Sequence, residues 1–322
     1  GGDRSREHTM DALLERSAEL GVEVESGAFA AALDAEDALA SFRDEFLFPR
    51  TASAEATTYL CGNSLGLQPK SVRDAVLADL DRWALFGVEG HFAAEGPSVA
   101  WWTIEDETRA SAAEVVGAKA DEVVCMNSLT VNLHLLLAAF YQPTQTRFKI
   151  LIEANAFPSD EYAIQSCATS RGLGPDAVAR VEGDTEAIVR ALAAPDVALV
   201  LVSALQYYTG ELFDIARIAR AARAAGVPAG FDLAHAAGNV PLRLHDDGAD
   251  FACWCSYKYL NAGPGALAGA FVHERHAAAL ARSPSPLRGW WGNRRETRFE
   301  MRPTFDPLPG VAGLQLSNPP TL

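Results

Sequence analysis

Of the 27 basic residues only four are lysines (Lys70, Lys119, Lys149 and Lys258); the rest are arginines. An amine that attacks a carbonyl must shed its proton, which lysine can do and arginine cannot. Lysine chemistry in this chain therefore has four possible carriers, and Lys258 has the most suggestive neighbours. It follows the apolar run Phe251 to Cys255 and precedes Asn261-Ala-Gly-Pro-Gly265, a turn that lets backbone approach a ligand closely. Asp232 lies 26 residues earlier, at the end of another apolar run, with His235 just beyond. A carboxylate at the end of a buried strand stays ionised only beside a positive partner. Phe157-Pro-Ser-Asp160 supplies a flat ring and a second acid. Asn127-Ser-Leu-Thr-Val131 opens a helix whose free N–H groups and hydroxyls suit an anion such as phosphate. Each feature alone also has an ordinary reading: a solvated loop lysine, a capping Asp with a structural His, a proline-led helix start, and an N-cap.

Together they are the four parts of a pyridoxal 5'-phosphate (PLP) site: a phosphate-binding helix start, a stacking aromatic, an acid for the pyridine nitrogen and a lysine. The elements that must position them alternate along the chain. Apolar runs at 122–126, 148–153, 197–203, 229–232, 251–255 and 267–272 read as strands. Helical patterns fall at 131–141, 160–170 and 214–225. That alternation predicts an α/β fold, a mostly parallel sheet sandwiched by helices, with the ligand site at the carboxyl ends of the strands. Residues 1–57 read as an acidic helical segment and 58–322 as the large cofactor-binding domain. Val72, Val76, Leu80 and Trp83 predict a helix over 70–86. Residues 1–9, polar and preceding Met10, leave two readings open, a cloning remnant or native sequence.

The 322 residues carry a net charge of -15, which argues against nucleic acid and against a basic membrane-surface patch. No apolar stretch approaches the ~20 residues of a bilayer span. Five scattered cysteines form no disulfide framework and predict a cytoplasmic setting. Cys253 and Cys255 flank Trp254 on one side of a strand, with no matching pair at ligand spacing, so core thiols and no metal are expected.

The runs Gly230-Phe-Asp-Leu-Ala-His-Ala-Ala-Gly-Asn-Val240 and Asp250-Phe-Ala-Cys-Trp-Cys-Ser-Tyr-Lys-Tyr-Leu-Asn-Ala-Gly263 resemble kynureninase, a fold-type-I PLP enzyme. So do Ser128-Leu-Thr-Val-Asn-Leu-His134, Phe157-Pro-Ser-Asp160, Gln206-Tyr-Tyr-Thr-Gly210 and Ser317-Asn-Pro-Pro320. The resemblance covers about residues 58–322. It implies hydrolysis of L-kynurenine, or 3-hydroxykynurenine, to anthranilate, or 3-hydroxyanthranilate, and L-alanine in tryptophan catabolism. It also implies the residue roles. Lys258 binds the cofactor covalently. Asp232 pairs with the pyridine nitrogen, assisted by Asp160. Phe157 stacks on the ring. Leu129, Thr130, Ser203 and Tyr257 surround the phosphate end, His235 lies close by, and Tyr257 is a candidate proton shuttle. Trp290 and Asn318 reach cofactor or substrate across a homodimer interface with shared active sites. His91 contacts the substrate ring.

The resemblance further implies a small C-terminal domain beginning near residue 320, toward which 283–322 leads and which carries the arginine for the substrate carboxylate. By the same resemblance that domain is missing from the given sequence, and its arginine has no candidate here. Two other readings stay open. One is another fold-type-I PLP enzyme, a cysteine desulfurase or class V aminotransferase. The other is a non-catalytic scaffold.

Overall fold

A computed structural model of the chain describes residues 2–92, 99–282 and 287–321. Gly1 and residues 283–286, the start of the expected C-terminal lead, lie outside the described residues. Contacts divide the chain into two units. One comprises Gly1–Thr57 with Pro69–Val72, the other Thr58–Gln68 with Arg73–Leu322. The first is helical, with α1 (Gly2–Leu20) and α2 (Gly27–Glu36). Ser26 caps α2 by accepting from the Phe29 N–H at 3.1 Å.

The second unit is built on a seven-stranded sheet. Its strands are β1 (Val123–Met126), β2 (Lys149–Glu153), β3 (Val178–Val181), β4 (Val197–Ser203), β5 (Ala229–Asp232), β6 (Phe251–Cys255) and β7 (Ala268–Val272). They lie in the order β1-β7-β6-β5-β4-β2-β3. The four pairings from β6 to β3 are parallel, and β7 runs antiparallel to both its neighbours. The short, helix-free connection between β6 and β7 has no crossover to carry the chain back, so β7 must return antiparallel. Six strands thus point their carboxyl ends to one edge.

Helices cover both faces. Alternation along β6 sends Ala252 and Trp254 to one core and Phe251 and Cys253 to the other. The first core is completed by α8 (Ile215–Ala225), through Ile215, Ile218, Ala219 and Ala222. The second is completed by α5 (Leu129–Phe140) and α6 (Pro158–Ser170). Gly269 accommodates this packing: an added Cβ there would meet the Trp254 indole at 2.1 Å. Cys253 and Cys255 are buried and unpaired, as core thiols. β3 and the helix α7 (Thr185–Ala191) that follows it are additions to the sequence reading. The run Val178-Ala-Arg-Val181 is short and pairs only with β2, so it carries no long apolar signal.

Candidate active site

Five strand ends and two helix starts converge on a cavity of about 440 Å³ at the carboxyl edge of the sheet. Lys258, Tyr257, Asp232, His235, Ser203, Asp160, Phe157, Leu129 and Thr130 all line it. Nine of the residues expected from the sequence are therefore assembled in one place.

The floor is acidic. Asp232 ends β5 and is 5% exposed; Asp160, in the first turn of α6, is 4% exposed. Asp232 accepts from the Ala234 N–H at 2.6 Å. Burial, then the charges of Asp232 and Glu153, hold Asp160 well above the usual carboxylate range. Burial also raises Asp232, although the hydrogen bonds from Asp160 and Ala234 work the other way. Asp160 therefore carries the proton and donates to Asp232, which keeps the negative charge. Asp160 Oδ1 is buried with no hydrogen-bond partner.

Lys258 follows β6 by three residues. Its Nζ lies 3.0 Å from His235 Nε2 and 5.9 Å from the Phe157 ring centroid. Burial and the Lys258 charge push His235 down to about 4, so the imidazole is neutral and Nε2 accepts from the ammonium. The Lys258 segment is held from two sides. The Gly66 N–H donates to the Tyr257 carbonyl at 2.8 Å, and the Asn261 N–H donates to the Lys258 carbonyl at 3.2 Å. Asn261 takes the left-handed conformation, with φ 56°. Burial and the neighbouring Cys255 push the Tyr257 phenol up, so it holds its proton as a donor.

The α5 start decides between an ordinary cap and an anion site. Ser128 occupies the N-cap position and makes no side-chain cap bond, so its hydroxyl leaves the first-turn N–H groups to a ligand. The turn is shaped by Asn132, fully buried, which donates to the Met126 carbonyl at 2.9 Å and accepts from Asn127 at 3.0 Å. Asn127 sits at φ 51°.

Ser203, expected at the phosphate end, stands level with Asp232 in the β4–β5 register and donates to Glu153 Oε1 at 2.5 Å. Trp290, Asn318 and His91 lie outside the cavity. Trp290 donates to the Arg298 carbonyl at 3.1 Å within an aromatic cluster with Trp102, Trp291 and Phe299. His91 and Asn318 instead share a second cavity of about 350 Å³ with Trp83, Trp101 and Trp291. These three residues belong to segments that pack on one another outside the sheet, so the strand ends do not gather them.

The cavity also contains residues the sequence reading passed over: Asn63, Ser64, Ser159, Leu205, Ala234 and Tyr207. Gly62-Asn-Ser-Leu-Gly66 carries a turn signal in its residue types, but nothing local ties it to Lys258. Glu153, 3% exposed at the end of β2, was hidden inside its strand.

These features fit PLP. A buried acid pair with an unpartnered oxygen suits a protonated ring nitrogen, and the uncapped helix start suits a phosphate. Phe157 and His235 line the same cavity.

The aminotransferase class-V family matches residues 59–279. A kynureninase from Xanthomonas oryzae pv. oryzae is 54% identical over 308 residues, covering 92% of this chain and 71% of that protein. A kynureninase from Myxococcus xanthus is 51% identical over 306 residues, with the same coverage. Among solved structures, a C-DES mutant with glycine covalently linked to its PLP cofactor has a TM-score of 0.68 at 18% identity, covering 85% of this chain and 69% of that one. Escherichia coli cysteine desulfurase CsdA has a TM-score of 0.65 at 18% identity, covering 87% and 67%. The solved structures establish a shared fold, and the two kynureninases add sequence identity across nearly the whole chain: it belongs to the kynureninase family, within the class-V aminotransferases, whose cofactor is PLP.

Proposed function

We propose that this chain hydrolyses L-kynurenine to anthranilate and L-alanine. The observation that carries the proposal is Lys258 Nζ facing His235 Nε2 above the buried Asp160–Asp232 pair, in a chain 54% identical to a kynureninase. When bound, PLP supplies an electron sink conjugated to the substrate amine. Lys258 holds the cofactor and, once displaced, its amine takes the proton from the substrate α-carbon. Asp232, kept anionic by the donor on Asp160, would hold a proton on the ring nitrogen of bound PLP. His235 stays neutral and orients Lys258 by accepting its hydrogen bond. Tyr257 keeps its phenol proton and delivers it to the substrate side. Water adds to the γ-carbonyl, the Cβ–Cγ bond breaks with its electron pair left on Cβ, the former carbonyl carbon leaves as a carboxylate, and Cβ takes a proton, for which the Tyr257 phenol is the donor, to become the alanine methyl.

Activity toward 3-hydroxykynurenine belongs to the same proposal, with His91, outside this cavity, reaching the substrate ring bound by a second copy of the chain. A homodimer is supported by α3 (Val72–Phe86), which leaves Val76, Leu80 and Trp83 in solvent on one helical face. Trp290 and Asn318 would then serve the partner's cavity. Cytoplasmic residence is supported by five free thiols. No helix among the described residues is long and apolar enough to cross a membrane.

The test is direct. The PLP-loaded chain is mixed with kynurenine and anthranilate fluorescence is followed. Alanine release from cysteine without anthranilate would assign a desulfurase instead, and a protein that gives no cofactor absorbance would be a scaffold.

A further inference from the structure

Opposite the cavity, at the amino edge of the parallel strands, a second group of side chains converges. Glu122 precedes β1, His273 follows β7, and His245 lies in α9 (Leu244–Asp247). Their ligand atoms all fall within 4.8 Å of one another. Glu122 is 1% exposed. Its Oε1 accepts from the Glu274 N–H at 2.8 Å and its Oε2 from the Lys119 N–H at 3.0 Å. A carboxylate oxygen has two acceptor positions, so each retains one, and these face the imidazoles. His245 Nδ1 lies 2.9 and 3.0 Å from the two oxygens. His273 Nδ1 lies 3.4 Å from Oε1.

His273 makes this more than a hydrogen-bonded cluster. Its Nδ1 accepts from the Arg275 N–H at 3.3 Å, so that nitrogen carries no proton, and its one lone pair would exchange this long hydrogen bond for a bond to an ion. An unprotonated nitrogen and a carboxylate oxygen therefore stand 3.4 Å apart with no hydrogen bond between them. The Lys119 ammonium is committed to Glu274 at 2.6 Å and does not fill the gap. A cation would. Ligand atoms about 2.0–2.2 Å from a tetrahedral zinc stand about 3.3 Å apart, close to the separations at Glu122. The two backbone N–H groups would orient the carboxylate, as outer hydrogen bonds do at metal sites.

We propose that Glu122, His245 and His273 form a binding site for one divalent transition-metal ion of the zinc class, with water as the fourth ligand. The ion would tie together the start of β1, α9 and the end of β7, far from Lys258, and so act on stability rather than on the chemistry. The site is empty of sulfur ligands, which sets its preference toward a nitrogen- and oxygen-liking cation.

The PLP-loaded chain is incubated with zinc(II), passed through gel filtration and measured for bound metal, melting temperature and X-ray absorption fine structure. The expected result is one zinc per chain, a raised melting temperature and a first shell of two imidazoles with oxygen. The His245→Gln/His273→Gln double variant loses the zinc. Absence of retained zinc, a first shell containing sulfur, or undiminished zinc in the double variant would overturn the proposal. If the double variant does not fold, the shell of the unaltered chain decides: two imidazoles with oxygen supports the site, and any other shell overturns it.

Discussion

Asp160 tests the charge assignment at the floor of the cavity. It is 4% exposed, its Oδ1 has no partner, and burial with two neighbouring acids keeps it protonated. Its role is then that of a neutral donor to Asp232, which an asparagine amide can copy. Asp160→Asn should change cofactor affinity by less than about fivefold, within the ~1 kcal/mol of an ordinary hydrogen bond. Asp160→Ala removes the donor and leaves a buried carboxylate short of a partner. That costs about 1–3 kcal/mol, or about 5- to 150-fold in PLP affinity. It also lets Asp232 take up a proton more readily, so as pH falls its hold on a protonated ring nitrogen weakens at a higher pH than in the parent. The assay is PLP titration followed by visible absorbance between mildly acidic and mildly basic pH, with turnover measured at saturating cofactor. If Asp160→Asn loses as much affinity as Asp160→Ala, Asp160 is the anion and the reasoning fails.

Lys258→Ala should abolish the visible band of lysine-bound PLP and stop turnover; an unchanged spectrum would refute the lysine assignment. His235 should titrate near its depressed value of about 4 in the cofactor-free chain, as followed by NMR of its ring. Because its folded pKa lies below the ordinary 6.5, the stabilising contribution is complete above that value. It is lost as pH falls from 6.5 toward about 4, visible as a falling urea midpoint that His235→Gln should flatten. Gly66→Ala places a Cβ 2.2 Å from the Lys258 carbonyl and 2.9 Å from Asn261 Cα. It should displace the lysine segment and cut turnover at least about tenfold, since misplacement of roughly an ångström costs up to about 100-fold; unchanged turnover would separate that loop from the chemistry.

How much of this was legible in the chain follows from what is local. The strands over 197–203, 229–232 and 251–255 are short apolar runs bounded by turn residues, and they formed where the pattern lies. Lys258, Asp232 and Phe157 each sit just past such a run, so their convergence at the carboxyl edge follows from a parallel sheet alone. β3 was missed because an edge strand with one neighbour needs no long apolar run. The antiparallel β7 read as one more strand, since direction depends on connection and pairing rather than on residue pattern.

By itself, then, the sequence determined the α/β layering, the lysine and its acid, and the family to which they belong. Tertiary structure decided the rest. It set Ser203 against Glu153, brought Gly66 under Lys258, and left His91 and Asn318 in a cavity of their own. It also joined Glu122 to a histidine 123 residues away. The physical reason is that periodicity and turn chemistry encode elements locally, whereas register and packing join positions whose separation along the chain carries no signal.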